Sequence, residues 1–332
     1  MQPSPIPISL LRYLIAWKVN SSLVTLPEYL PVELSFVLGT IISNRLATQE
    51  AGPWRKAITP LAEYYAQAAD KNKNLTTPFP AVSWPLEAVL LAYPNKQTFG
   101  FGELIFWELK LLGESADHGL FLELILPAME EAGYAADTQW NRAKRLWGHF
   151  EVNAVYVARG KTWMPLVKEG RLDLRYRPTP VQWAEGLTFK PDSARTFYGL
   201  NWLTPFDLAG IPSGENSTRD AQKPQETLQI ILEALVARTG RLIPGRHKSH
   251  EGVAAILTAD EQTALQNAMA EAATVKCLYK NLDRVPKSCP GAWRGAQTYA
   301  PIPASILPYL EMASLLHIGK HTHFGCGTFV LV

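Results

Sequence analysis

Cysteine is scarce in this chain. Cys277, Cys289 and Cys326 are the only three in 332 residues, and they lack the paired spacing of a disulfide framework or a zinc cluster. No apolar run approaches the length that crosses a bilayer. The opening Met-Gln-Pro-Ser-Pro lacks the basic stretch and apolar core of a secretory signal, so the cytoplasm is the expected compartment. Charge of one sign is lacking too: 32 Lys and Arg stand against 30 Asp and Glu, a net +2 that by itself names no partner. Histidine is absent before His118, which leaves the N-terminal part of the chain without an imidazole for proton transfer.

What is present has an ordinary globular balance, 47% hydrophobic and 19% charged, at a length that suits two domains with a core each. The charge is uneven. Ten Lys and Arg face four Asp and Glu between Arg142 and Lys190, and Arg241–His250 contains no acid. Either cluster fits an RNA backbone or ordinary solvated surface. Ten tryptophans invite base stacking. Trp17, Trp107 and Trp183 lie in apolar contexts that suit core packing, whereas Trp54 has Arg55 and Lys56 as neighbours and Trp163 has Lys161 close by.

Leu10–Lys18 is rich in strand formers and Leu34–Leu46 has helical spacing. That start fits the first βα unit of a ferredoxin-like fold. Residues 47–95 read as irregular, with a helix over Ala57–Ala69. A strand at Glu103–Leu112, a helix at Leu120–Ala132 and a strand at Phe150–Ala158 complete a first domain. Residues 191–225 read as an insertion or linker. Glu226–Arg238 is an amphipathic helix with Leu228, Ile231, Leu232 and Leu235 on one face. Leu257–Ala273 is a second, capped by Thr258 or Asp260. Strands near Val275–Tyr279, Ala292–Tyr299 and Gly327–Val332, with a helix at Ser305–Leu315, finish the set.

The densest chemistry lies in His317–Val332. Gly319, Gly325 and Gly327 bracket Lys320, His321 and His323, with His317 at the head and an apolar, strand-like ending. Glycine lets backbone N–H groups approach a phosphate, lysine adds charge, and histidine transfers protons near neutral pH. The spacing predicts a loop that holds a phosphodiester, with His321 and His323 on one side if the loop is extended. A metal on the three histidines is disfavoured, because no acid is near in sequence and Lys320 repels a cation.

Pro290–Tyr299, Ile306–Leu310 and Leu315–Gly319, followed by the glycine loop, closely resemble the C-terminal signature of the CRISPR repeat-processing endoribonucleases of the RAMP superfamily. Lys320, Thr322, Phe324, Gly325 and Gly327 fall on that family's pattern hydrophobic-Gly-Lys-x-Thr-x-Phe-Gly-x-Gly. Gly102–Gly113 resembles the family's internal strand, and Leu172–Val181 the strand that opens its second domain. Residues 1–80 and 191–225 carry little of the resemblance. It implies an α+β fold of two tandem ferredoxin-like (RRM-like) βαββαβ domains, residues 1–170 and 171–332.

The resemblance also implies a metal-independent endoribonuclease that needs no cofactor and acts on CRISPR repeat RNA. A 2′-hydroxyl attacks its own 3′-phosphate and the next nucleotide's 5′-oxygen leaves, giving 5′-hydroxyl and 2′,3′-cyclic phosphate ends. His317 is the first candidate for proton transfer; the other reading makes it a structural histidine at a helix–strand junction. Lys320, His321, His323, Gly319, Gly325 and Gly327 would lie against phosphate, and Arg294 and Arg284 would reach the same RNA. Several family members carry a histidine on or after the first helix of the N-terminal domain. This chain has Tyr29, Ser43, Asn44 and Arg45 there, so Arg45 is a candidate phosphate contact and Tyr29 a candidate for orienting the 2′-hydroxyl. The implied partners are repeat RNA or processed crRNA and other subunits of an effector complex, with no membrane and no DNA contact. The missing histidine keeps an alternative open, a catalytically inactive guide-RNA-binding subunit of a CRISPR effector. An unrelated phosphate-binding enzyme with a coincidental glycine loop is disfavoured by the order of the matching blocks.

Overall fold

A computed structural model describes residues 5–69, 79–93, 96–134, 146–187, 195–210, 227–243 and 250–332. Arg142, Lys144 and Arg145, much of 191–225 and most of Arg241–His250 lie outside those residues. The chain divides into two compact units, Ser9–Glu185 and Met1–Ile8 with Gly186–Val332.

The N-terminal unit contains β1 (Leu10–Val19), β2 (Leu23–Thr25), α1 (Leu30–Arg45), α2 (Thr48–Ala69), β3 (Ala88–Ala92), β4 (Thr98–Gly100) and β5 (Leu104–Leu112). After these come α3 (His118–Leu120), a π-helical turn (Phe121–Ile125), α4 (Leu126–Tyr134), β6 (Phe150–Arg159), β7 (Thr162–Lys168) and β8 (Arg171–Leu172). The main sheet runs β3-β5-β1-β6-β7-β8 with every pair antiparallel. Followed as β1-α1-β3-β5-helix-β6, its strands stand in the order second, third, first, fourth. That is the ferredoxin-like arrangement, extended at one edge by β7 and β8.

Alternation along β1 sends Leu11, Tyr13, Ile15, Trp17 and Val19 into one core. Leu34, Val37, Leu38 and Ile41 of α1 and Met129 and Ala132 of α4 cover it. Trp17 stacks on Phe150 at 4.0 Å and meets Trp107 edge-on at 5.2 Å. Pro31 in the first turn of α1 pre-sets the helical φ where no N–H is needed. The stretch 47–95 is more regular than its composition suggests. α2 continues through Pro53 and Pro60, and β3 is buried on both faces.

The C-terminal unit repeats the plan with β9 (Gly199–Phe206), α5 (Gln229–Leu242), α6 (His250–Ala254), α7 (Ala259–Thr274), β10 (Cys277–Arg284), β11 (Trp293–Tyr299), α8 (Leu307–Leu316) and β12 (Phe329–Leu331). Its sheet order, β10-β11-β9-β12, is again second, third, first, fourth. Thr258 caps α7 in a reciprocal capping box with Glu261. The opening strand is β9, inside the stretch read as insertion. Leu172–Val181 does not supply it: Arg171–Leu172 pairs with β7 at the edge of the N-terminal sheet. Among the described residues no helix is long and apolar enough to cross a membrane.

On the face of the N-terminal sheet away from that core, Glu108 is buried beside Arg12 Nε (2.6 Å), and Tyr93 Oη donates to it at 2.6 Å. Burial alone would raise the Glu108 pKa. The charges of Lys110 and Arg12 and the bonds from Arg12 and Tyr93 outweigh it and hold the group at about 2, against the usual 4.5. Because the folded value lies below the unfolded one, the stability this group contributes is complete above pH 4.5 and is lost as pH falls towards 2. Glu108→Gln is expected to destabilise the protein by about 3–5 kcal/mol at neutral pH and to flatten the acid side of the stability profile. Urea melts across that pH range check it; an unchanged acid limb would assign the sensitivity to other carboxylates.

Candidate functional site

The glycine loop connects α8 to β12 in the C-terminal unit. His317, at the end of α8, has φ 57 and ψ 125. A 3₁₀ turn at Thr322–Phe324 follows, with His321 (φ 56) before it and Gly325 (φ 76) after it, both left-handed. The loop is laid against the end of β9. Lys320 N–H donates to the Asp207 carbonyl and Gly327 N–H to the Pro205 carbonyl, each at 2.9 Å, while Ile318 N–H donates to the Gly327 carbonyl at 3.0 Å. A Cβ on Gly327 would lie 1.9 Å from the Ile318 carbonyl oxygen, and one on Gly319 2.4 Å from that of Asp207.

These contacts change the reason for the glycines. They let backbone pack on backbone, and the N–H groups of Lys320, Phe324, Gly325 and Gly327 all donate to carbonyls of the protein itself. The expected open phosphate cradle is not what those four amides form.

The histidines are redistributed as well. His317 is fully buried, with Nδ1 3.0 Å from the Gly325 carbonyl and 3.2 Å from that of Cys326. A carbonyl only accepts, so Nδ1 carries the proton in this arrangement. The ring ties the loop to the end of α8, which is the geometry of the structural alternative rather than of a solvent-facing acid or base. His323 is also buried, its ring edge-on to Phe324 at 5.2 Å. The turn, in place of an extended segment, breaks the alternation that was to set His321 and His323 on one side. Burial pushes the His321 pKa below the usual range; Asp207 opposes that shift and Lys320 adds to it.

Lys320 remains the accessible cation of the loop, with its Nζ 3.4 Å from Asp207 Oδ2. Asp207 is a residue the sequence reading missed. Its Oδ1 accepts from the Ala209 N–H at 2.9 Å, an Asx turn that the Phe-Asp-Leu-Ala-Gly string after a strand could have announced. The fold therefore does bring an acid to the histidine loop, where it pairs with Lys320. Among the described residues no group of three or more His, Cys, Asp or Glu is placed to hold a metal.

Arg284 and Arg294 do not converge. Register sets Arg284 opposite Trp293, whose ring it covers at 5.1 Å, and Arg294 opposite Asp283, so the two arginines project to opposite faces of the sheet. Tyr29 and Arg45 belong to the other unit and sit at the two ends of α1, Tyr29 at the N-cap and Arg45 in the last turn. They are sixteen positions apart along the helix, about 24 Å at 1.5 Å per residue. Arg45 bonds Glu131 at 3.0 Å in an exposed pair. His118, not singled out from sequence, is half-buried at the start of α3, with Nδ1 3.1 Å from Tyr13 Oη. Burial lowers its pKa, with Asp117 opposing and Arg177 adding to the shift. A π turn, a distortion frequent at functional sites, follows it directly.

Fold and site together define a tandem ferredoxin-like protein whose second unit closes through a glycine loop. No protein-family model and no curated protein matches the sequence. Among solved structures the chain is similar to a partial Cas6-RT-Cas1–Cas2 complex, at 9% identity over 99% of this chain with a TM-score of 0.46. It spans 46% of that chain, and 29% of the chain of a second Cas6-RT-Cas1–Cas2 complex. It is also similar to a Cas6 product complex, at 15% identity over 98% of this chain and 100% of the other with a TM-score of 0.42. A third likeness is to the product of a Cas6-related gene from Pyrococcus furiosus, at 10% identity over 98% and 99% of the two chains with a TM-score of 0.37.

His317 holds a positive φ that glycine adopts more easily, so its side chain must offset a strained backbone. Removing the imidazole leaves two carbonyls without that donor, a loss of about 1–3 kcal/mol. His317→Ala is therefore expected to be less stable than His317→Gly, and both less stable than wild type. Thermal or urea melts of the three proteins check the order; equal stability of all three would remove the tether.

Proposed function

We propose that this chain is a Cas6-like RAMP protein that binds CRISPR repeat RNA and cuts it without a metal. One observation carries the reading. The Gly-Lys-x-Thr-x-Phe-Gly-x-Gly string occupies the connection between the last helix and last strand of the second of two ferredoxin-like units. Lys320, held at its base by Asp207, is the loop's phosphate contact in this reading, and Arg45, whose exposed pair with Glu131 is readily exchanged, is a second. Given the length of α1, Tyr29 and Arg45 serve different parts of the RNA.

In the proposed reaction a base takes the 2′-hydroxyl proton, the 2′-oxygen forms its bond to phosphorus, and the bond to the 5′-oxygen breaks as an acid protonates it. His118 suits the base: burial keeps it neutral near pH 7 and Tyr13 fixes its ring. His317 acts by positioning the loop. The alternative of a guide-RNA-binding subunit without cleavage is favoured by the burial of His317 and His323.

The test is end-labelled CRISPR repeat RNA with excess EDTA, alongside the same RNA carrying a 2′-deoxy substitution at the cut site, with wild type and His118→Ala. Cleavage should survive EDTA, fail on the deoxy substrate, and drop about 10²–10⁴-fold in His118→Ala while binding persists. Tight binding with no cut would select the non-cleaving subunit. Absence of RNA binding would end both readings.

A further inference from the structure

β7 and β8 are additions to the ferredoxin-like order, and they carry an arrangement that stability alone does not explain. Lys168 and Arg171 stand directly opposite each other across the β7–β8 hairpin, and both are exposed. Like charges in that position repel, and among the described residues neither has a carboxylate partner. The turn between them holds Glu169 at φ 50, one of three non-glycine residues with positive φ among the described residues.

Register places this pair on the sheet face away from the helix-covered core. Lys168 is opposite Ala154, Ala154 opposite Ala16, and Ala16 opposite Phe106. A bulge between Val155 and Tyr156 brings Trp163 to the same face, where the Arg12 guanidinium lies over its ring at 5.2 Å. Trp163 is 36% exposed and Phe106 39%. An exposed Trp ring under a cation, with a second exposed ring and a basic pair on the same face, matches the chemistry of a single nucleic-acid strand, whose unpaired bases stack while its phosphates meet cations. A phosphate between Lys168 and Arg171 would also relieve their mutual repulsion.

The geometry points to a second RNA surface: this face of the N-terminal sheet carries a single-stranded stretch of RNA, with bases on Trp163 and Phe106 and a phosphate at the Lys168–Arg171 pair. The inference rests on RNA being the ligand, and it adds a contact distant in sequence from the glycine loop. It also names the device that would hold an unpaired segment.

The test uses the 2′-deoxy repeat RNA, fluorescein-labelled, with affinity measured across a salt series for wild type, Lys168→Gln/Arg171→Gln and Trp163→Ala. The double variant should keep or raise the melting temperature, bind more weakly, and show a slope of log affinity against log salt shallower by about 0.7 to 1.4. Trp163→Ala should weaken binding about tenfold. If wild type binds and the double variant matches it in affinity and slope, this surface is refuted while the proposed function stands. A fall in melting temperature would make the pair structural and overturn the inference. A silent Trp163→Ala would leave a polyanion patch without base stacking, which also overturns it. Failure of wild type to bind would remove the functional reading itself.

Discussion

The carbonyl oxygen of Ile318 occupies the space where a Cβ on Gly327 would be, and that of Asp207 does the same at Gly319. The C-terminal unit depends on these two contacts. β12 has three residues, paired with β9 at Leu200, Asn201 and Trp202, a ladder too short to place the fourth strand of the sheet on its own. The loop supplies the difference. Its amides bond the end of β9, and the His317 ring bonds the loop's own carbonyls. The glycine string is thus first a folding requirement, and Lys320 faces outward because everything around it is turned in.

Much of the architecture was readable because burial on one face leaves a period. β1 alternates imperfectly but is rich in strand formers, α1 has its apolar spacing, and the Thr258–Glu261 capping box is written in four residues. Among the described residues β2, β3, β4, β7 and β9 escaped, and the two of them that belong to the ferredoxin-like order, β3 and β9, had no such signature. β3 is Ala-Val-Leu-Leu-Ala, covered on both faces, so it shows an apolar run without alternation inside a segment dense in proline. β9 contains Pro205 and begins at Gly199, residues that weaken a strand reading, although Leu200, Trp202 and Phe206 turn inward. The strand read as opening the second unit was assigned to the wrong sheet for a related reason. Arg171–Leu172 looks like a strand and is one, but its partner is β7, and pairing is a long-range fact that composition does not hold.

The site was readable to the extent that a motif fixes position and not exposure. Lys320 was singled out by the motif, and its side chain is exposed on the loop. His317 and His323 were found too, but whether an imidazole lies inside or outside is decided by packing from β9 and α8. His118 was met only as the first histidine of the chain and not as a site residue, because its partner, Tyr13, is 105 residues away in sequence. Trp54 and Trp163 both had basic neighbours; Trp54 is buried against Trp84, and only Trp163, at a sheet margin, kept its ring in reach of a ligand.

Backbone strain ties the two surfaces together. Among the described residues, three that are not glycine hold a positive φ: His317 and His321 in the glycine loop, and Glu169 between Lys168 and Arg171. Each costs about 1–3 kcal/mol, and glycine was available at every position at lower conformational expense. In the loop the strain is offset by what the His317 ring bonds. At the β7–β8 turn Glu169 and Gly170 both take the positive φ of a two-residue hairpin loop, and among the described residues no carboxylate pairs with the facing cations. In the proposed reading a bound phosphate relieves the repulsion between the cations that face each other across this turn.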